Sequence, residues 1–178
     1  MLELVKKFNI ITACDTYKLN HYLELPDDAK YAYVVAVPRK PSKYATEVVA
    51  AGQTLIAYLL SKVRVTEEDI DEAEIEVEQQ GYEFNRKAWE IIARELGGRL
   101  PLQIYAVEEG RVVKPQTPIM GIVNTDERFA WLPAYVETWT QSIMWPSVVV
   151  ASICRVCRLT FKKYMELTGS TFLENGIN

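Results

Sequence analysis

The sequence predicts an α+β fold in which an antiparallel sheet is flanked by helices and followed by a C-terminal helical segment. Helical and strand-like patterns fall in separate blocks rather than in strict βαβ alternation. The 178 residues are 49% hydrophobic and 25% charged, a composition typical of a globular chain that can bury a core. We expect an N-terminal α+β domain at 1–123 and a helical segment at 124–178.

The first half of the chain predicts a short helix, a strand and three longer helices. Asp15 is expected to cap the short helix through its carboxylate, and Pro26 to end it. β-Branched and aromatic residues at 30–38 predict the strand, and 45–61 and 67–80 predict the next two helices. The third long helix follows Asn85. Thr66 is expected to cap the helix at 67–80, whose buried positions are Ile70, Ala73 and Val77. The helix after Asn85 is expected to end at Gly97 and Gly98, and its buried positions are Trp89, Ile92, Ala93 and Leu96.

The second half begins with short β-type runs. The runs LPLQIYAV, RVVKPQ and PIMGIV are separated by EEG and PQTP, turn chemistry that suits antiparallel pairing. From Asn124 the helical pattern returns. We expect a break at Trp145–Pro146 and then a long helix that carries Arg155 and Arg158.

Charge and hydropathy restrict the classes of partner. A net charge of −4 and a pI near 5.2 argue against a broad nucleic-acid-binding surface. The start, MLELVKKFNI, has no apolar core of signal-peptide length, and we expect that no later stretch approaches a membrane span in length and hydropathy. We therefore expect a cytoplasmic protein with neither a nucleic-acid nor a membrane partner.

The three cysteines indicate neither a disulfide framework nor a metal site. Cys154 and Cys157 have CxxC spacing, but they lie within a helical pattern, whereas redox pairs use a helix N-terminus. A zinc site would need a second pair of ligands, which the sequence does not offer. We expect Cys154 and Cys157 to be two small residues of a helix.

The stretch DTYKLNHY, residues 15–22, concentrates an acid, two tyrosines, a lysine and the only histidine. Asp15 is interpreted as a cap rather than a base, and Lys18 as a solvated side chain. His21 lacks partners at metal-ligand spacing, which favours a structural role. An independent enzyme that uses Asp15, Lys18 and His21 as acid–base groups is one hypothesis, but the chain has no glycine-rich phosphate loop.

The aromatic residues of the second half have spacings of four, four and six residues. Packing in a core or an interface explains this pattern better than a cofactor site does. The four residues concerned are Trp131, Tyr135, Trp139 and Trp145.

Four stretches together resemble the nicotinamide phosphoribosyltransferase family. They are FNIITACDTYKLNHY, GRLPLQIYAVEEG, VNTDERFAWLPAYVETW and WPSVVVAS, in the family's order and approximate spacing between Phe8 and Gly169. The resemblance implies a type II phosphoribosyltransferase, a homodimer with active sites at the subunit interface. It also implies that the helical segment leads into an α/β barrel-like domain that is absent here.

The resemblance assigns substrate-binding roles, with no catalytic residue in this chain. It implies that Tyr17 stacks on the nicotinamide ring held by the other protomer and that Arg39 contacts phosphate. Asp15, interpreted as a helix cap, would position Tyr17 and so belongs to the same substrate-binding set. The phosphate loop and the catalytic histidine of the family lie in the larger domain. We therefore expect no cofactor or metal bound by this chain alone, and Mg²⁺ to accompany phosphoribosyl pyrophosphate in the complete enzyme.

The leading hypothesis is a truncated N-terminal part of this enzyme, inactive alone, whose partner is a second copy or a complementary barrel-domain chain. Nicotinamide and phosphoribosyl pyrophosphate would bind only in the completed site. Two alternatives remain. One is a non-enzymatic interaction or regulatory module derived from the enzyme, and the other is a fragment similar to nicotinate phosphoribosyltransferase.

Overall fold

A computed structural model describes residues 8–40, 43 and 45–171 and confirms the α+β prediction. Five strands form two antiparallel sheets. In chain order they are β1 (Tyr33–Ala36), β2 (Val48–Val49), β3 (Leu102–Ala106), β4 (Val112–Val113) and β5 (Met120–Asn124). β5 lies between β1 and β3, while β2 and β4 pair separately.

Five α-helices and two 3₁₀ helices surround the sheets. The α-helices are α1 (Gln53–Lys62), α2 (Glu67–Gln79), α3 (Arg86–Glu95), α4 (Leu132–Tyr135) and α5 (Glu137–Thr168). The 3₁₀ helices span Thr16–Glu24 and Glu127–Phe129. The first ends just before Pro26, as expected from the restriction that proline places on the residue before it.

The second and third predicted long helices are confirmed at α2 and α3. Thr66 and Asp69 form a reciprocal capping box that satisfies two otherwise unpaired backbone N–H groups at the start of α2. The expected apolar stripe of α2 is fully buried. In α3, Trp89 and Ile92 are buried, while Ala93 and Leu96 are partly buried against the core.

The prediction of one helix over 45–61 is wrong in its first half. Val48 and Val49 form β2, and α1 begins only at Gln53. Gly52 has a left-handed φ of 92°, which interrupts a right-handed helix and which glycine adopts at little cost. The Glu109 carboxylate then accepts hydrogen bonds from the backbone N–H groups of Gly52 (2.6 Å) and Thr54 (3.0 Å), and so caps α1.

The predicted break at Trp145–Pro146 is also wrong, because α5 continues through Pro146. Proline removes one intrahelical hydrogen bond, but close packing holds the helix on both sides of it. A Cβ atom on Gly52 would lie 3.1 Å from the Ser147 side chain and 3.3 Å from the Met144 backbone, so α5 is seated directly on the start of α1. The helical chain is interrupted earlier, at Val136.

α5 carries exposed apolar side chains from Trp145 to its C-terminal end. Those most exposed are Trp145, Val150, Phe161, Tyr164 and Leu167. By length and composition alone, α5 could cross a membrane, and only 11% of its most apolar window is buried. The expectation that no stretch approaches a membrane span is therefore wrong.

Replacing Gly98 with alanine should destabilise the fold more than the same change at Gly97. Both glycines have a left-handed φ, which costs an alanine about 1–2 kcal/mol. A Cβ on Gly98 would also lie 2.5 Å from the Val65 carbonyl oxygen, whereas the space beside Gly97 is open. Urea unfolding of the two variants measures the difference, and equal losses of unfolding free energy would show that the Gly98–Val65 approach is not tight.

Replacing Glu109 with glutamine should weaken the cap of α1. Burial would raise the pKa of Glu109, but the hydrogen bonds from the Thr54 and Gly52 backbones outweigh burial and hold the pKa below its ordinary value. The charged cap therefore stabilises the fold above the carboxyl's unfolded pKa of about 4.3, and this stabilisation is lost as the pH falls through the lower folded pKa. We expect a loss of about 1 kcal/mol at pH 7.

The adjacent Glu108 supplies the matched control, since its side chain is exposed on the same turn. Urea unfolding of E109Q and E108Q between pH 3 and pH 7 measures both effects. A deficit in E109Q that stays constant over this range, or an equal deficit in E108Q, would contradict the capping role.

Candidate functional site

The segment at 15–22 forms a 3₁₀ helix, and Asp15 does not cap it with its side chain as the sequence predicted. The Asp15 backbone carbonyl accepts from the Lys18 N–H (2.8 Å). The carboxylate instead accepts from the hydroxyls of Tyr17 (3.2 Å) and Thr138 (2.8 Å). The Thr138 oxygen in turn accepts from the Asp15 N–H (3.2 Å), so two hydrogen bonds join Asp15 to the first turn of α5.

Lys18 anchors the segment from within, which corrects its interpretation as a solvated side chain. It is only 3% exposed. Its ammonium group donates to the Ala134 carbonyl (2.8 Å) and to the Glu137 carboxylate (2.5 Å). A buried charge is tolerated only when it is paired and hydrogen-bonded, and these two contacts meet that requirement.

Tyr17 extends from this anchored segment and is 54% exposed. Its ring centroid lies 5.1 Å from that of His21, and the Lys18 ammonium is 5.8 Å from the centre of the Tyr17 ring. The hydrogen bond to Asp15 raises the pKa of Tyr17, because the phenolate would face the carboxylate. His21 thus packs beside Tyr17.

Arg39 is exposed three residues after the end of β1. The rest of the basic loop after it lies partly outside the described residues, at 41, 42 and 44. Arg155 of α5 pairs with Glu47, which precedes β2, at 3.0 Å.

An open cleft of about 560 Å³ lies beside the anchored segment. Its lining combines two carboxylates, three other polar side chains and an exposed indole ring. The residues are Asp15, Glu137, Thr138, Gln141, Ser142, Trp145 and Pro146. Asp15 therefore lines this cleft and also bonds to Tyr17. Neither Tyr17 nor Arg39 is among the lining residues.

The three cysteines differ in their surroundings. Burial raises the pKa of the Cys14 thiol and so disfavours the reactive thiolate. Cys154 and Cys157 are free and exposed within α5, where the sequence placed them. Among residues 8–40, 43 and 45–171, no group of three or more histidine, cysteine or carboxylate side chains is placed to hold a metal ion.

The expected aromatic packing is present at the start of the helical segment. Trp131 and Tyr135 are buried around Trp89, with ring centroids 5.1 to 5.3 Å apart. Trp139 packs partly against the same core, whereas Trp145 is 70% exposed. The Tyr135 hydroxyl donates to the Ile11 carbonyl (2.5 Å), which ties the chain before Asp15 to the same helical corner.

Sequence reasoning missed Glu137 and Thr138 as parts of the site. Both lie more than 110 residues from the segment that they contact, so no local spacing indicates the pairing. The one available signal is their position in VETWT, inside a stretch that carries the family resemblance.

Comparison with known proteins identifies the family. Residues 9–104 match the model of the nicotinamide phosphoribosyltransferase N-terminal domain. Nicotinamide phosphoribosyltransferases from Xanthomonas campestris and Acinetobacter baylyi are 31% and 26% identical to this chain, over 90% and 95% of its length. These matches cover 34% and 36% of the two relatives, so the chain spans about a third of their length.

A solved structure of human nicotinic acid phosphoribosyltransferase has a similar fold. It superposes with a TM-score of 0.50 at 15% sequence identity, over 78% of this chain and 26% of the human chain. At that identity the likeness concerns the fold alone. The match to the N-terminal domain model covers more than half of the sequence, and the chain belongs to the nicotinamide phosphoribosyltransferase family.

Proposed function

We propose that this chain is the N-terminal part of a nicotinamide phosphoribosyltransferase and presents Tyr17 to a base site that another polypeptide completes. The reaction joins a ring nitrogen of nicotinamide to the anomeric carbon of phosphoribosyl pyrophosphate and releases pyrophosphate. The product, nicotinamide mononucleotide, is a precursor of NAD. The observation that carries the proposal is the exposure of Tyr17 on a segment whose neighbouring residues are anchored.

An exposed aromatic ring held in this way suits the binding of a flat base. Offset stacking needs ring area and no charge, and a phenol supplies both. The contacts of Asp15 and Lys18 fix the backbone on both sides of Tyr17. A ring that is already oriented loses less conformational freedom on binding than a mobile one does.

Asp15 and Arg39 have supporting roles in this proposal. Asp15 orients Tyr17 through the hydroxyl contact, and the exposed guanidinium of Arg39 is available to phosphate. The sequence has no glycine-rich phosphate loop, and the described residues offer no carboxylate cluster for a metal. Phosphoribosyl pyrophosphate with its Mg²⁺ would therefore be held mainly by the completing polypeptide, a second copy or a complementary chain.

The exposed apolar side chains of α5 support a protein partner. Apolar patches of this kind commonly mark interaction sites. A lipid partner is disfavoured because Arg155, Arg158, Lys162 and Lys163 are interspersed among the apolar residues of the C-terminal half of α5, and charges are costly within a bilayer. The same surface favours a second candidate function, an interaction or regulatory module that binds a full-length relative without completing a site.

The first test is synthesis of nicotinamide mononucleotide from nicotinamide, phosphoribosyl pyrophosphate and Mg²⁺. The purified chain is assayed alone and with a separately produced polypeptide that covers the part of the Xanthomonas enzyme outside the match. We expect no product from the chain alone and product from the mixture. Y17A should lower kcat/KM of the mixture about tenfold, the loss expected when an aromatic stacking contact is removed. Y17F keeps the ring but loses the hydroxyl contact to Asp15, so it should lower kcat/KM less, by about threefold.

Tyr31 is the matched control, since it is a comparably exposed tyrosine outside the motif. Y31A should leave the activity of the mixture unchanged. Product from the chain alone would contradict the proposal that the site needs a second polypeptide. Binding without product in the mixture would favour the interaction module, and replacing nicotinamide with nicotinate tests the nicotinate alternative.

A further inference from the structure

We infer that Thr138 is a positioning residue for Tyr17 and acts through Asp15. The Thr138 hydroxyl donates a hydrogen bond to the Asp15 carboxylate (2.8 Å), and the same carboxylate oxygen accepts one from the Tyr17 hydroxyl (3.2 Å). These two hydrogen bonds together are called the relay below. The functional meaning of this relay rests on the proposed stacking role of Tyr17. The geometry itself does not depend on any ligand.

The backbone that carries Thr138 is held in place on both sides. Thr138 is the second residue of α5, next to Glu137, which pairs with the buried ammonium of Lys18. The preceding turn is held by the Tyr135 hydroxyl, which bonds to the Ile11 carbonyl in the core. Thr138 therefore offers its hydroxyl from a backbone that packing and two side-chain contacts hold in place.

Without the contacts from Thr138, the carboxylate of Asp15 could cap the 3₁₀ helix. An aspartate at the start of a helix ordinarily turns its carboxylate onto the free N–H groups of the first turn. Asp15 occupies the N-cap position of the 3₁₀ helix with extended backbone angles, yet it makes no such side-chain bond. Thr138 bonds both the N–H and the carboxylate of Asp15, and so holds the carboxylate where the Tyr17 hydroxyl can reach it.

Removal of the Thr138 hydroxyl should therefore release Asp15 to the cap position and free the Tyr17 ring. Valine has the same shape as threonine and is compatible with a helix, so T138V removes the hydroxyl with little change of volume. The groups that face the Tyr17 phenol are Asp15, Glu137, Lys18 and His21. Of these, Asp15 is the one whose direct bond to the phenol the substitution would break.

The test is a pH titration of the Tyr17 phenol in the chain as it stands, followed by NMR with tyrosine labelled at Cζ. The signal of Tyr17 is identified by its loss in Y17F. Because the bond to Asp15 raises the pKa of Tyr17, we expect D15N and T138V both to shift the titration to lower pH. T138S, which keeps the hydroxyl, should titrate as the unmodified chain does.

Ser142 gives the matched control one turn further along α5. It lines the same cleft, but its hydroxyl donates to the Thr138 backbone carbonyl and does not contact Asp15. S142A should leave the titration of Tyr17 unchanged. A T138V titration that coincides with that of the unmodified chain, or a D15N variant without a shift, would overturn the relay.

The second readout is the kinetics of the completed enzyme described above. T138V should raise KM for nicotinamide about threefold with kcat within about twofold, since it loosens the Tyr17 ring without removing it and leaves the reacting groups in place. An unchanged KM for nicotinamide in a mixture that Y17A impairs would overturn the positioning role and leave the proposed function intact. Absence of activity in every mixture would count against the proposed function, while the titration still decides the relay.

Discussion

The ion pair between the buried ammonium of Lys18 and the exposed carboxylate of Glu137 is the interaction on which the geometry of the candidate site depends. It joins the first 3₁₀ helix to the first turn of α5, and Lys18 also bonds to the Ala134 carbonyl in α4. Loss of the Glu137 carboxylate would leave the buried Lys18 ammonium without its charged partner, which is unfavourable. The segment that bears Tyr17 is therefore attached to the helical corner at residues 134–138 by a contact that is costly to open.

This corner is rigid because the aromatic core lies directly beneath it. Trp131 and Tyr135 pack edge-to-face on each other and on Trp89 of α3, so the corner is fixed to the N-terminal helices as well as to the sheet. The Tyr135 hydroxyl satisfies its own hydrogen-bonding requirement on the Ile11 carbonyl. Core packing, the ion pair and the Asp15–Thr138 bonds thus form a continuous path from the interior to the exposed Tyr17 ring.

Elements governed by local chemistry could be predicted from the sequence, and those governed by distant contacts could not. The capping box of α2 lies within four residues, and the apolar stripe of α2 follows helical spacing, so both were predictable. The start of α1 depends on Glu109, more than fifty residues away, and the continuity of α5 through Pro146 depends on packing against Gly52. At the candidate site, the motif indicated Asp15 and Tyr17, but their partner Thr138 is visible only in the folded chain.

The positions at which sequence-based predictions of local structure fail have two different physical causes. At Gly52 and Pro146 the reason is backbone geometry and packing. In the segment 15–18, by contrast, a cap residue does not cap and a lysine is buried, each against its ordinary preference. Two such departures within four residues are unfavourable for stability alone, since a natural sequence is otherwise locally consistent with its fold. Departures of this kind concentrate at functional sites, and both here place Tyr17 on a fixed support, which favours the proposal that Tyr17 contacts the base.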